Sequence, residues 1–139
     1  MSGSEVVVTL PFNQHVGLSV AADGAVQMPD DPRLTNHVGT RHAGALFTLG
    51  EAASGAALLD ALGPKLAELS FIVRTARIDY LKPARGVLVG KSVVDGAAAL
   101  ARIAEEGKTD LDVPVELIDG AGVVVARLVV TWVLRRARS

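Results

Sequence analysis

Hydrophobic positions recur along most of this chain with the period of a strand, but one stretch is apolar at nearly every step. From His42 to Leu62, HAGALFTLGEAASGAALLDAL, Ala, Leu and Phe take thirteen of twenty-one positions and Gly three more, so a helix built from it has no polar face. Such a helix must be wrapped. Gly63-Pro64 stops it, and Thr40 reads as its N-cap. Ahead of it, an apolar run from Val6 to Leu10 meets Pro11, and Pro11-Phe12-Asn13 reads as a turn or the start of a brief helix. Val16 to Met28 alternates loosely, as an edge or bent strand interrupted at Asp23-Gly24 would, and Asp30 to Arg41 is loop.

Beyond the helix, alternation of period two predicts strands over Glu68 to Leu81, Val87 to Val94, Lys108 to Ile118 and Val123 to Leu134. The first two read as a hairpin joined by Lys82 to Gly86, and the last two as the end of a meander. Asp95 to Glu106 predicts a second helix, with Leu100, Ile103 and Ala104 on one stripe and Gly107 as terminator. Strand, long helix, then four strands is an α+β arrangement in one domain, residues 1–139, with an antiparallel sheet folded over a central helix. One sheet covers one side of that helix. The other, equally apolar, predicts a second copy of the chain before any chemistry is considered.

Composition narrows the function classes. Fourteen basic and fifteen acidic residues spread along the chain give a net charge of −1 and no footprint for nucleic acid. No cysteine is present, which removes thiolate nucleophiles, thiolate metal sites and disulfides and fits a cytoplasmic location. Glu5 stands where a signal peptide would be positive. The Ala43 to Leu62 run is long enough for a bilayer, but Glu51 near its middle would cost about 2.5 kcal/mol on insertion, so no membrane partner is expected. His15, His37 and His42 form no metal spacing with carboxylates. Glu51 is the anomaly. Neither a base nor an amide stands one turn away, at Phe47, Thr48, Ser54 or Gly55, so the carboxylate reaches a cleft or is satisfied by another segment.

The segment Asn36-His37-Val38-Gly39-Thr40-Arg41-His42-Ala43-Gly44-Ala45-Leu46-Phe47, followed by Glu51, resembles the signature of hotdog-fold acyl-CoA thioesterases of the phenylacetate-pathway type. Asn36 to His42 is six residues and His42 to Glu51 nine, as in that signature, and Tyr80-Leu81-Lys82-Pro83-Ala84 matches a hydrophobic-basic-Pro-Ala stretch common to those proteins. His-Ala-Gly here replaces their His-Gly-Gly, and Gly55 stands where several members carry a Ser or Thr that holds water. The resemblance implies a hotdog fold and hydrolysis of a small acyl or aryl-acyl thioester, with coenzyme A part of the substrate and no other cofactor. A ligand-binding hotdog protein without turnover is the alternative, and a dehydratase of the same fold a third reading.

By the same resemblance Glu51 is base or nucleophile, the N–H groups of Ala43 and Gly44 receive the oxyanion, Asn36 orients water or the carbonyl, and His42 positions the helix start. Thr48, Ser54 and Gly55 near Glu51, with Lys82 and Arg85, are candidate substrate contacts. Arg74, Arg77, Arg135 and Arg136 are further cations that meet either coenzyme A phosphates or solvent. Geometry adds a constraint. Ala43 and Glu51, eight residues apart, lie roughly 12 Å apart along one helix, whereas base and oxyanion donor must approach one carbonyl. Two antiparallel copies of the helix, in a homodimer or tetramer, bring Glu51 of one to the amino end of the other.

Overall fold

A computed structural model describes residues 1–137. The elements are α1 (Gly3–Val7), α2 (Pro11–His15), β1 (Ser19–Val20), β2 (Val26–Met28), α3 (Ala43–Leu62), β3 (Leu69–Tyr80), β4 (Leu88–Lys91), α4 (Ala97–Glu106), β5 (Lys108–Ile118) and β6 (Val124–Arg136). The strands form one antiparallel sheet in the order β1-β2-β4-β5-β6-β3. Its inner face, carrying Met28, Leu88, Val113, Val115, Leu117, Leu128, Val130 and Leu134, closes on α3, where Leu49, Ala53 and Leu58 are buried.

The small residues of α3 are what let the sheet come so close. A Cβ on Gly50 would collide with the Leu128 side chain, and one on Gly90 of β4 would stand 2.7 Å from Cβ of Ala53. Larger residues would push helix and sheet apart. Composition alone would allow α3 to cross a membrane, but here most of it lies inside the fold.

Much of the predicted pattern holds, with differences that have physical causes. The apolar run from Val6, assigned to no element from its pattern, begins inside a helix: Ser2 and Glu5 form a capping box that starts α1, which buries Val7 and sets Gly3 against the Ala56 carbonyl. The N–H of Gly3 donates to Oδ1 of Asp60 at 2.8 Å. One part of the helix surface expected to face a partner copy is therefore covered by the chain's own amino end. Val16 to Met28 divides at Asp23-Gly24 into β1 and β2. The α3 cap is His42 rather than Thr40. In α4 the buried side chains are Ala99 and Ile103, and Gly107 ends the helix in the left-handed region at φ 80°.

The largest correction concerns β3 and β4, which are not a hairpin. β3 pairs with β6 from Leu69↔Arg136 to Tyr80↔Ala126, while β4 lies between β2 and β5. A twelve-residue strand finds a thirteen-residue neighbour, and the four-residue β4 fills the space beside the short β2. β3 is left as an open edge, with Ile72 70 % exposed.

Candidate active site

The site forms where the loop before α3 meets the end of β3. Asn36 closes that loop on itself: its Oδ1 accepts from the N–H of Val38 and of Thr40, both at 3.0 Å, and its Nδ2 donates to Oγ1 of Thr40 at 2.8 Å. Gly39, at φ 80°, permits the reversal. With its polar atoms committed to the loop, Asn36 shapes the approach to the helix.

His42 caps α3 through its side chain, with Nδ1 accepting from the N–H of Gly44 at 2.8 Å. An Nδ1 that accepts carries no proton, so in this arrangement the ring hydrogen sits on Nε2. The expectation of paired backbone donors is corrected by this contact. Gly44 N–H is occupied, while Ala43 N–H has no acceptor among the described residues. At the other end of the peptide that carries Gly44 N–H, the hydroxyl of Tyr80 donates to the Ala43 carbonyl at 3.1 Å.

One turn further along α3 the surface opens into a stripe. Gly44, Thr48 and Glu51, spaced i, i+4, i+7, share a face that neither the sheet nor α1 fully covers. The Thr48 hydroxyl donates back to the Gly44 carbonyl at 2.9 Å. Glu51 is half-buried, and its carboxylate has no hydrogen bond or ion pair among the described residues, so burial pushes its pKa above the ordinary carboxylate value. The unsatisfied acid expected from sequence is thus present and partly desolvated.

Ser54 and Gly55 do not reach that stripe as substrate contacts. The Ser54 hydroxyl, 0 % exposed, donates to the Glu51 carbonyl at 2.7 Å and accepts from Nε1 of Trp132 at 3.1 Å. A Cβ on Gly55 would face Trp132 and Val7, 3.5 and 3.6 Å away, instead of a water beside Glu51. Both belong to the packing behind the acid. Their spacing on the helix did not reveal this, because the covering indole comes from β6.

Asn36, Thr40, Arg41, Ala43, Leu46, Tyr80 and Lys82 line a cavity of about 320 Å³ against the start of α3. Glu51 of the same chain does not line it. Lys82 and the neighbouring Arg85 are exposed and have no acidic partner among the described residues. By contrast Arg74 pairs with Asp110 at 2.9 Å, Arg77 with Asp79 at 3.3 Å, and Arg136 donates to the Ile103 and Ala104 carbonyls at the end of α4. Among the described residues no group of His, Asp and Glu stands together as a metal-ligand set.

Two residues quoted in the motifs, but given no role from sequence, also build the site. Arg41, its side chain 2 % exposed, donates from Nη2 to the Gly86 carbonyl at 2.5 Å, and its N–H donates to the Ala84 carbonyl at 2.9 Å. It holds the Lys82 to Gly86 loop against the helix start, and burial lowers its pKa. Tyr80 is the chain's single tyrosine, placed at the end of a strand just before Lys82-Pro83, which is the signal that could have drawn attention to it.

A family model matches residues 7–134. The chain belongs to that family, a domain of unknown function (DUF4442). No curated protein matches it. Among solved structures, this DUF4442 chain is similar to a Pseudomonas aeruginosa protein of unknown function described as a probable thioesterase, at 26 % identity and TM-score 0.85, over 97 % of this chain and 94 % of that one. It is also similar to a Bacillus halodurans protein solved with CoA, at 17 % identity and TM-score 0.67, over 95 % and 85 %. A variant of another Pseudomonas aeruginosa thioesterase aligns at 16 % identity and TM-score 0.70, over 96 % and 92 %. This DUF4442 protein has the hotdog fold, an antiparallel sheet wrapped around one long helix.

Proposed function

We propose that this protein hydrolyses a small acyl-CoA or aryl-acyl-CoA thioester, as a thioesterase of the phenylacetate-pathway type working as a homodimer. The observation that carries the reading is the half-buried, unpaired Glu51 on an open stripe of α3, in a fold shared with thioesterases and with a protein solved with CoA.

The chemistry follows from the donors and acceptors at hand. As general base, Glu51 takes a proton from water while the water oxygen bonds to the thioester carbon. The carbonyl electron pair moves onto oxygen, beside Ala43 N–H at the positive end of α3, an arrangement worth about 2.7 to 4 kcal/mol per donor in other enzymes. Collapse of that intermediate breaks the C–S bond, and the thiolate leaves with a proton returned from Glu51. As nucleophile, the Glu51 carboxylate instead attacks the thioester carbon, the C–S bond breaks and the thiolate leaves, and water opens the resulting mixed anhydride to free acid and carboxylate. Asn36 and His42 shape the approach, and Lys82 and Arg85 offer cations to the phosphates of coenzyme A.

The dimer is part of the reading. Eight residues of helix put Ala43 and Glu51 of one chain roughly 12 Å apart. The Ala43 cavity lacks its own Glu51, which supports a site completed by the acid of a second copy. The open β3 edge, with Phe71 and Ile72 exposed, is a surface that a second β3 would cover.

Thiol release from a panel of acyl- and aryl-acyl-CoAs tests the activity. Wild type releases thiol from at least one member, and Glu51→Gln lowers kcat at least a hundredfold with the fold intact. Release from none leaves the ligand-binding reading, for which Gly55 was the sequence's only hint. Sedimentation of the active species tests the dimer, which an active monomer refutes.

A further inference from the structure

We infer that Tyr80 is a positioning residue: its hydroxyl fixes the Ala43–Gly44 peptide and, through that peptide, the ring of His42. The inference rests on the thioesterase reading for its consequence, although the clamp itself can be read without activity.

The Ala43 carbonyl and the Gly44 N–H are the two ends of one peptide group. Tyr80 holds the first at 3.1 Å and His42 Nδ1 holds the second at 2.8 Å. First-turn N–H groups have no partner within the helix, so His42 supplies the acceptor that Gly44 N–H would otherwise lack, and Tyr80 adds a side-chain donor to the carbonyl of the same peptide. A donor on the carbonyl also polarises the amide, strengthening its N–H by about 10–30 %. The Tyr80 bond therefore reinforces the one to His42, which keeps Nδ1 as acceptor and Nε2 as the protonated nitrogen. His42 is exposed, so a ligand at the helix start can reach its ring.

The group that depends on this phenol, from the last residue of β3, is the ring of His42, reached through the Ala43–Gly44 peptide; Ala43 N–H belongs to the preceding peptide, which Tyr80 does not touch. Phenylalanine at this place would fill the same volume and leave the Ala43 carbonyl with one donor fewer.

Tyr80→Phe in the full chain is the test, read by NMR and by kinetics. The expected result is an upfield move of the Gly44 amide proton, a change of the His42 ring nitrogens from one dominant tautomer toward a mixture, and a kcat about tenfold lower with KM unchanged. Thermal midpoint and oligomeric state stay as in wild type. Combined with His42→Ala, the Tyr80→Phe loss shrinks, since Tyr80 acts partly through that ring. In the unaltered chain, a scalar coupling across the bond between the Gly44 nitrogen and His42 Nδ1 reports the clamp without any substitution. Its absence, or Gly44 and His42 signals that do not move in folded Tyr80→Phe, overturns the proposal. Should wild type hydrolyse no acyl-CoA, the thioesterase reading falls by itself, and the coupling and shifts still decide for or against the clamp.

Discussion

Trp132 donates its indole N–H to the Ser54 hydroxyl at 3.1 Å, across the buried seam between β6 and α3. Ser54 passes the contact on to the Glu51 carbonyl at 2.7 Å, so the turn that carries the acid is fastened to the sheet from behind. Phe71 on the open edge packs against the same indole at a tilt of 48°, with ring centroids 5.8 Å apart.

Ser54→Ala strands the indole N–H in an apolar site. A buried donor without a partner costs about 1–3 kcal/mol, so the urea midpoint of this variant falls below that of wild type. An unchanged midpoint would show that water replaces the hydroxyl.

Gly50 and Gly55 face different surroundings and should respond in opposite senses. Gly50→Ala drives a methyl into Leu128 and costs about 1–3 kcal/mol of overpacking. Gly55→Ala meets only ordinary contacts near 3.5 Å and gains about 0.5–1 kcal/mol from helix propensity. Thermal unfolding of the two variants side by side checks the ordering.

Glu51 should link pH to both stability and rate. Burial raises its folded pKa above the ordinary 4.5, so the folded chain binds this proton more tightly than the unfolded one. The associated stability is fully present below 4.5 and is lost as pH rises through the folded value. Glu51→Gln carries no such penalty and is the more stable protein at neutral pH, with the gap closing in acid. Turnover by wild type runs the other way, falling as pH drops through the same folded value, because a protonated Glu51 cannot accept a proton. Denaturant midpoints and kcat measured across one pH series check both signs.

Local spacing along the chain was enough to place α3, β3, α4, β5 and β6, because a period of two or an unbroken apolar run says how a segment must be buried whatever covers it. It also singled out Glu51, since an acid with no compensating neighbour within one helical turn stands out in any context. Which surfaces meet was decided only by the tertiary structure. The seating of Gly3 of α1 against Ala56 and Asp60, the placement of β3 beside β6, and the indole that claims Ser54 all join residues too distant in sequence for any repeat to register. The same is true of the helix start, where Tyr80 reaches the Ala43 carbonyl from a strand 37 residues away. Hydrogen bonds are short and directional, so whether a donor is free or taken depends on where the fold sets its neighbours.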